Sequence, residues 1–453
     1  MKQVSTRRTL GIGVAVLAAT LAFTACSSST PSPGTTSGSA TGQITLTIGT
    51  FNNFGYGAPT STAPGADLYA KYMQLHPNIK VVPTVAALSD DARAAFQTAI
   101  GAGSGAYDIQ AVDIDWMPFI MDNADKFTDM KAALGSNDYL PWKLQQATTP
   151  DGQVLGAGTD IGPEAICYRA DLLDAAGIPS DPSSVATWLG GANATWQTYF
   201  QAGQEYVQKS GGKAFFDSMA ATYQGMVNQV QYAYVDKDNN IIDPATNTTI
   251  KGLFDQLTQA GYTDKQSAGL AEWGDDWNAA FKATDNTSFA TMLCPAWIIN
   301  NIKGNAGADF KGWQIANVFP GITPGQGGNW GGSFLVVPKQ GKNIQAAQDL
   351  AAWLSAPAQQ EAVFTAASNY PSSPTAQASD AVANKTEPFL NNAPVGTIFA
   401  DRAKAVTVVP YKGSSYFDIQ TKLSNELNTI DVDKTATPEA AWAAWINDVK
   451  ALS

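Results

Sequence analysis

The chain has 453 residues, with 27 Lys and Arg against 39 Asp and Glu, a formal net charge of −12 and a hydrophobic content of 44%. So acidic a protein is a poor binder of nucleic acid or of anionic lipid headgroups, and no nucleic-acid partner is expected. One histidine, His76, and three cysteines leave almost no room for a zinc site built on histidine clusters, so no metal or cofactor is expected.

Lys2, Arg7 and Arg8 precede an apolar run from Leu10 to Phe23, and the small residues Thr24 and Ala25 lead into Cys26. A basic start, a short apolar stretch and a small-residue end make an export signal over residues 1–25. The run is short of the roughly 20 residues a transmembrane helix needs. Leu21-Ala22-Phe23-Thr24-Ala25-Cys26 resembles a bacterial lipobox, with Phe23 where leucine is usual. That resemblance implies a lipid on Cys26 and a chain anchored to the extracellular face of the cell membrane. Residues 26–42 are rich in Ser, Thr, Gly and Pro and read as a flexible tether. The folded part is expected from Gln43 onward.

Ile44, Leu46 and Ile48 alternate with Thr45 and Thr47, which predicts a strand. A helix from about Ala66, a strand at Ile79–Val82, a helix opened by Ser89-Asp90-Asp91 and a strand from Tyr107 to Val112 follow. This β-α-β-α-β run predicts a mostly parallel sheet covered by helices, with ligands beyond the carboxyl ends of its strands. Asn52, Asn53, Asp113, Asp115 and Trp116 fall at such ends. His76, before Pro77, reads as a helix-end residue. A second α/β region begins with a strand at Ala165–Tyr168. Thr187 is a candidate cap for a helix carrying Trp188, and helical runs are expected at Trp196–Lys209, Phe254–Gly261 and Asn343–Leu354. Strands are expected at Ala290–Leu293 and Phe334–Pro338. Thr437 and Pro438 open a last helix. Outside the cell Cys167 and Cys294, both in strand-like contexts, suggest a disulfide, with two buried thiols as the alternative.

Several of these segments resemble the extracellular solute-binding proteins of ABC sugar importers, the group that includes maltose-binding protein. They are Leu75-His76-Pro77-Asn78-Ile79-Lys80-Val81, the segment from Tyr107 to Trp116 (a strand and the aromatic after it), Cys167-Tyr168-Arg169-Ala170-Asp171-Leu172-Leu173, Pro295-Ala296-Trp297, Trp330-Gly331-Gly332-Ser333 and Tyr370-Pro371-Ser372-Ser373. The resemblance implies two doubly wound α/β lobes of the type II periplasmic-binding-protein kind, joined by a hinge, with a ligand cleft between them. The N-lobe would comprise residues 43–160 and 334–370, and the C-lobe residues 161–333 and 371–453. Crossings are expected near Thr159–Pro163, Trp330–Phe334 and Asn369–Pro374.

A sugar site needs flat aromatics for the C–H faces of the rings and planar polar groups for the hydroxyls. Trp116 and Trp297 match family positions that stack on sugar. Trp273 and Trp330 abut glycines, Tyr370 lies at the third crossing, and Tyr416 matches the family's last aromatic loosely. Asn52, Asn53, Asp115, Asp160 and Glu164 are candidates for hydroxyls, and Gly332 and Ser333 for backbone N–H donors. The expected function is a monomeric, non-catalytic binder that delivers a neutral oligosaccharide to ABC permease subunits. A secreted glycoside hydrolase and a binder of cationic peptides or polyamines are the alternatives.

Overall fold

The computed structural model describes residues 42–452 apart from 53, 61 and 62. The export signal, Cys26, the tether up to residue 41 and Asn53 therefore lie outside the described residues. Gln43–Ser453 forms one compact unit. Among the described residues no helix is long and apolar enough to cross a membrane.

The strands, numbered along the chain, are β1 (Ile44–Phe51), β2 (Ile79–Ala86), β3 (Ile109–Asp113), β4 (Ala157–Gly158), β5 (Asp160–Ile161), β6 (Glu164–Arg169), β7 (Ala214–Phe216), β8 (Phe289–Pro295), β9 (Trp313–Ala316), β10 (Ser333–Val336) and β11 (Tyr370–Pro371). The first sheet has the order β2-β1-β3-β10-β4. β1 runs parallel to β2 and β3, while β10 returns antiparallel between β3 and β4. β10 starts with Ser333 paired to Asp113, so Ser333 belongs to the N-lobe sheet, one residue before the expected boundary. The second sheet, β7-β8-β6-β9, is mixed: β7 is parallel to β8, and β6 is antiparallel to both its neighbours.

Each sheet buries an apolar face under helices. In the N-lobe, Leu46, Ile48, Ile109 and Phe334 share one cluster with Tyr72, Leu350 and Leu354 from the helices Leu68–Leu75 and Ile344–Leu354. In the C-lobe, Ile166 and Leu293 pack with Trp196, Tyr199, Leu423 and Trp445. A further cluster gathers Ile161, Phe364 and Tyr370 at the hinge with Phe281, Trp313 and Phe399. Cys167 and Cys294, on neighbouring strands β6 and β8, are joined as a disulfide with their Cα atoms 5.3 Å apart.

Two helix starts differ from expectation. The helix carrying Trp188 runs over Pro182–Trp188 and is capped by Asp181, whose carboxylate accepts the Ser184 N–H. Asp-Pro is the stronger start, since Pro182 needs no amide partner in the first turn, and Thr187 falls in the last turn. The run expected at Phe254 begins at Thr248 under an Asn247 cap, and Gln259–Thr263 closes it as a π-helical turn. Thr437 caps the last helix as expected, accepting the Ala440 N–H.

Three segments cross between the lobes side by side. β5 pairs antiparallel with β11, matching Ile161 to Tyr370 and Asp160 to Pro371. Pro163 bridges to Asn329, and the Trp330 N–H donates to the Gly162 carbonyl at 2.8 Å.

Candidate ligand-binding cleft

Where the two lobes face each other they enclose a cleft of about 460 Å³. Its N-lobe wall comes from the end of β1 (Phe51, Asn52, Phe54), the start of the helix Ser89–Ala102 (Leu88, Ser89, Asp90) and the turn after β3 (Asp113, Asp115, Trp116). The C-lobe wall comprises Glu272, Trp273, Trp297, Asn300, Asn301 and Phe417. Asp160, Trp330, Gly331, Gly332, Ser333 and Asn369, from the crossing segments, form the floor. The carboxyl ends of parallel strands thus supply the N-lobe wall, as α/β topology requires.

The aromatics form one connected group. Trp273 is 39% exposed and stacks on Trp297, centroids 6.0 Å apart and planes 22° from parallel. The Trp297 Nε1–H donates to the Trp330 carbonyl at 3.1 Å, and the Trp330 ring meets Trp297 edge-on at 5.8 Å. These three indoles present flat apolar surface to the cleft.

Trp116 behaves differently. It is only 2% exposed and packs on Phe51 at 5.2 Å and Phe96 at 6.2 Å. The single 3-10 turn that follows β3, Ile114–Trp116, folds its ring back among the N-lobe core aromatics, so it lines the cleft with little exposed surface.

The polar lining combines the acids Asp90, Asp113, Asp115, Asp160 and Glu272 with the amides of Asn52, Asn300, Asn301 and Asn369, and the cleft-lining residues include no Lys, Arg or His among the described residues. Asp113 accepts the Asp115 N–H at 2.9 Å; burial and the Asp115 charge push it up to about 7. Asp160 is buried and raised by that burial, while it accepts the Thr159 hydroxyl at 2.8 Å and the Ser333 N–H at 2.9 Å. Burial raises Glu272 well above the ordinary carboxylate range, with Asp217 adding to it. Beneath Gly332 lies Lys143, 1% exposed, its Nζ 3.7 Å over the Phe334 ring; burial draws it down to about 8. Asn52, at φ 51°, takes a left-handed turn that asparagine tolerates.

The structure does not bring Glu164, Tyr370 and Tyr416 to the cleft. Glu164 is 0% exposed inside the C-lobe, against Gly328 and Phe319, with neither carboxyl oxygen hydrogen-bonded. Tyr370 is buried between Phe364 and Phe399. Tyr416 packs on Tyr234 at 5.0 Å in the C-lobe core, and its helix neighbour Phe417 faces the cleft in its place. Sequence reasoning missed Phe51, Phe54, Glu272, Asn300, Asn301, Asn369 and Phe417 as site residues. Asn300 and Asn301 carried a signal, lying within a turn of Trp297 in the helix Ile298–Ala306.

Two α/β lobes hinged on three crossing segments around an aromatic and acidic cleft define the class of bilobal binding proteins. Within it this chain belongs to the bacterial extracellular solute-binding proteins, the family that matches residues 67–389. An arabinooligosaccharide-binding protein of Bacillus subtilis is 25% identical over 244 residues, 53% of this chain and 50% of the relative. Its counterpart of the same name in Halalkalibacterium halodurans is 21% identical over 268 residues, 56% of each chain. The chain thus spans about half the length of the curated relatives it matches. The crystal structure of an extracellular solute-binding protein of family 1 is 38% identical, with a TM-score of 0.78 over 90% of this chain and 99% of that one. The ABC transporter associated binding protein from B. animalis subsp. lactis, solved with β-1,6-galactobiose, is 18% identical with a TM-score of 0.72 over 90% and 96%.

Proposed function

We propose that the protein binds an extracellular neutral oligosaccharide and delivers it to the permease of an ABC importer, closing its lobes over the sugar without chemical turnover. The observation that carries this reading is the indole wall of Trp273, Trp297 and Trp330 facing the carboxylates of Asp113, Asp115 and Asp160 across one cleft. Pyranose and furanose rings offer an apolar face to the first and hydroxyl donors to the second. The arabinooligosaccharide-binding relatives and the galactobiose complex support an oligosaccharide as the ligand class. A lipid on Cys26 and the tether after it would hold a monomer close to its permease and raise its local concentration there. We also propose residues 43–160 with 333–370, and 161–332 with 371–453, as the two lobes that move.

A second reading, a cationic ligand such as a polyamine or basic peptide, is favoured by the acids Asp90, Asp113, Asp115, Asp160 and Glu272 in a lining that holds no Lys, Arg or His among the described residues. Titration with arabino-, galacto-, xylo- and cello-oligosaccharides and with spermidine, followed by tryptophan fluorescence and product analysis, separates the readings. Micromolar sugar binding without turnover is the expected result. Cleavage of any sugar would replace transport with a hydrolase, and spermidine as the sole binder would favour the second reading.

A further inference from the structure

Asp115 stands on the N-lobe wall, in the turn that follows β3. Its carboxylate is gripped by Lys412, which comes from the C-lobe: the two side chains are 21% and 8% exposed. Lys412 is not itself part of the cleft wall. The chain on either side of it is pinned to the C-lobe, by the Tyr411 N–H to the Gln231 carbonyl at 2.7 Å and the Ser414 N–H to Asn239 Oδ1 at 3.0 Å. A second contact crosses the lobes nearby, with the Arg93 guanidinium 3.5 Å above the Phe417 ring.

We propose that Lys412 is a positioning residue of the sugar site, delivered to Asp115 by the opposite lobe, so that the carboxylate acceptors of the cleft are complete only when the lobes are together. The inference rests on the oligosaccharide reading and deepens it. Asp113 and Asp115 are neighbouring acids in a shielded site, and two such charges oppose each other's ionisation. Asp115 raises Asp113, whereas Lys412 draws it down. Without the lysine Asp113 keeps its proton to higher pH, and a protonated oxygen no longer accepts a hydroxyl donor. Two other cations act on the pair without bonding to it: Lys143, below Gly332 beside Asp160, also draws Asp113 down though its Nζ has no hydrogen-bond partner, and Arg93, which feels Asp115 and Asp418, is engaged with the Phe417 ring. Tyr234 and Tyr416 are held neutral by burial, which leaves Lys412 as the cation in direct contact. A shielded cross-lobe pair of this kind also weights the equilibrium toward the closed arrangement.

The test compares Lys412→Met, Lys412→Arg, Asp115→Asn and the Asp115→Asn/Lys412→Met double variant of the full chain. Calorimetry with arabinotriose, or the panel sugar that the wild type retains in its place, is run from pH 6 to 9. Lys412→Met is expected to bind about tenfold more weakly at pH 7 and to recover partly by pH 9, as Asp113 ionises. Lys412→Arg should keep most of the affinity, and the double variant should bind no more weakly than Asp115→Asn alone. Wild-type affinity in Lys412→Met, a deficit equal at every pH, or additive losses in the double variant would overturn the proposal. A wild type that binds no sugar sinks the functional reading instead, and X-ray scattering of the unliganded proteins then decides this inference. Lys412→Met should have the larger radius of gyration, and equal radii would overturn it.

Discussion

Trp273 and Trp297 lie with their ring centroids 6.0 Å apart and their planes 22° from parallel on the C-lobe wall. Trp297 is the better anchored, since its Nε1–H is fixed to the Trp330 carbonyl. Trp297→Ala should therefore weaken sugar binding by about tenfold or more, the loss of one well-placed aromatic face. The melting transition should be retained. Fluorescence titration measures the first and circular dichroism the second; an unchanged affinity would remove Trp297 from the site.

Glu164 makes the protein sensitive to pH independently of the cleft. Burial alone raises it well above its ordinary value of 4.5. The folded protein thus holds a proton that the unfolded chain has released, and stability is lost as pH rises above 4.5 toward the folded value, at about 1.4 kcal/mol per pH unit. Glu164→Gln removes that slope. In urea unfolding between pH 5 and 8, the variant should gain on the wild type as pH rises. Parallel curves would refute the assignment.

The Cys167–Cys294 bond closes a separation of 127 residues across the C-lobe sheet. A cross-link over so long a loop contributes roughly 2–4 kcal/mol. Reductant should lower the melting temperature of the wild type. It should leave unchanged a Cys167→Ser/Cys294→Ser double variant, which already melts lower.

Gly162 lies so close to the second crossing that a Cβ there would overlap the Trp330 carbonyl. That carbonyl orients Trp297, and the Gly162 N–H is itself bonded to Asn329 Oδ1 at 2.9 Å. Gly162→Ala should cost about 1–3 kcal/mol by overpacking and should weaken sugar binding as the indoles shift. Urea unfolding and calorimetry report the two effects, and a stable variant with intact affinity would show the hinge to be softer than its packing suggests.

Much of this protein is written in local patterns. Alternation of Ile44, Leu46 and Ile48 with threonines determined β1, and Thr437-Pro438 determined the last helix start, because strand and helix periods and caps depend on neighbours in sequence. Strand ends marked Asn52, Asp113 and Asp115 as cleft residues, and the Gly-rich Trp330-Gly331-Gly332-Ser333 lies at a crossing between the lobes. Packing between distant segments decided the rest. It turned Trp116 into the core and put Phe417 rather than Tyr416 on the cleft, a difference of one position on a helix where each step rotates the side chain by about 100°. It buried Glu164 without a partner and set Lys412 against Asp115 across 297 residues of chain. No local pattern encodes that ion pair, because it exists only where the folded lobes meet.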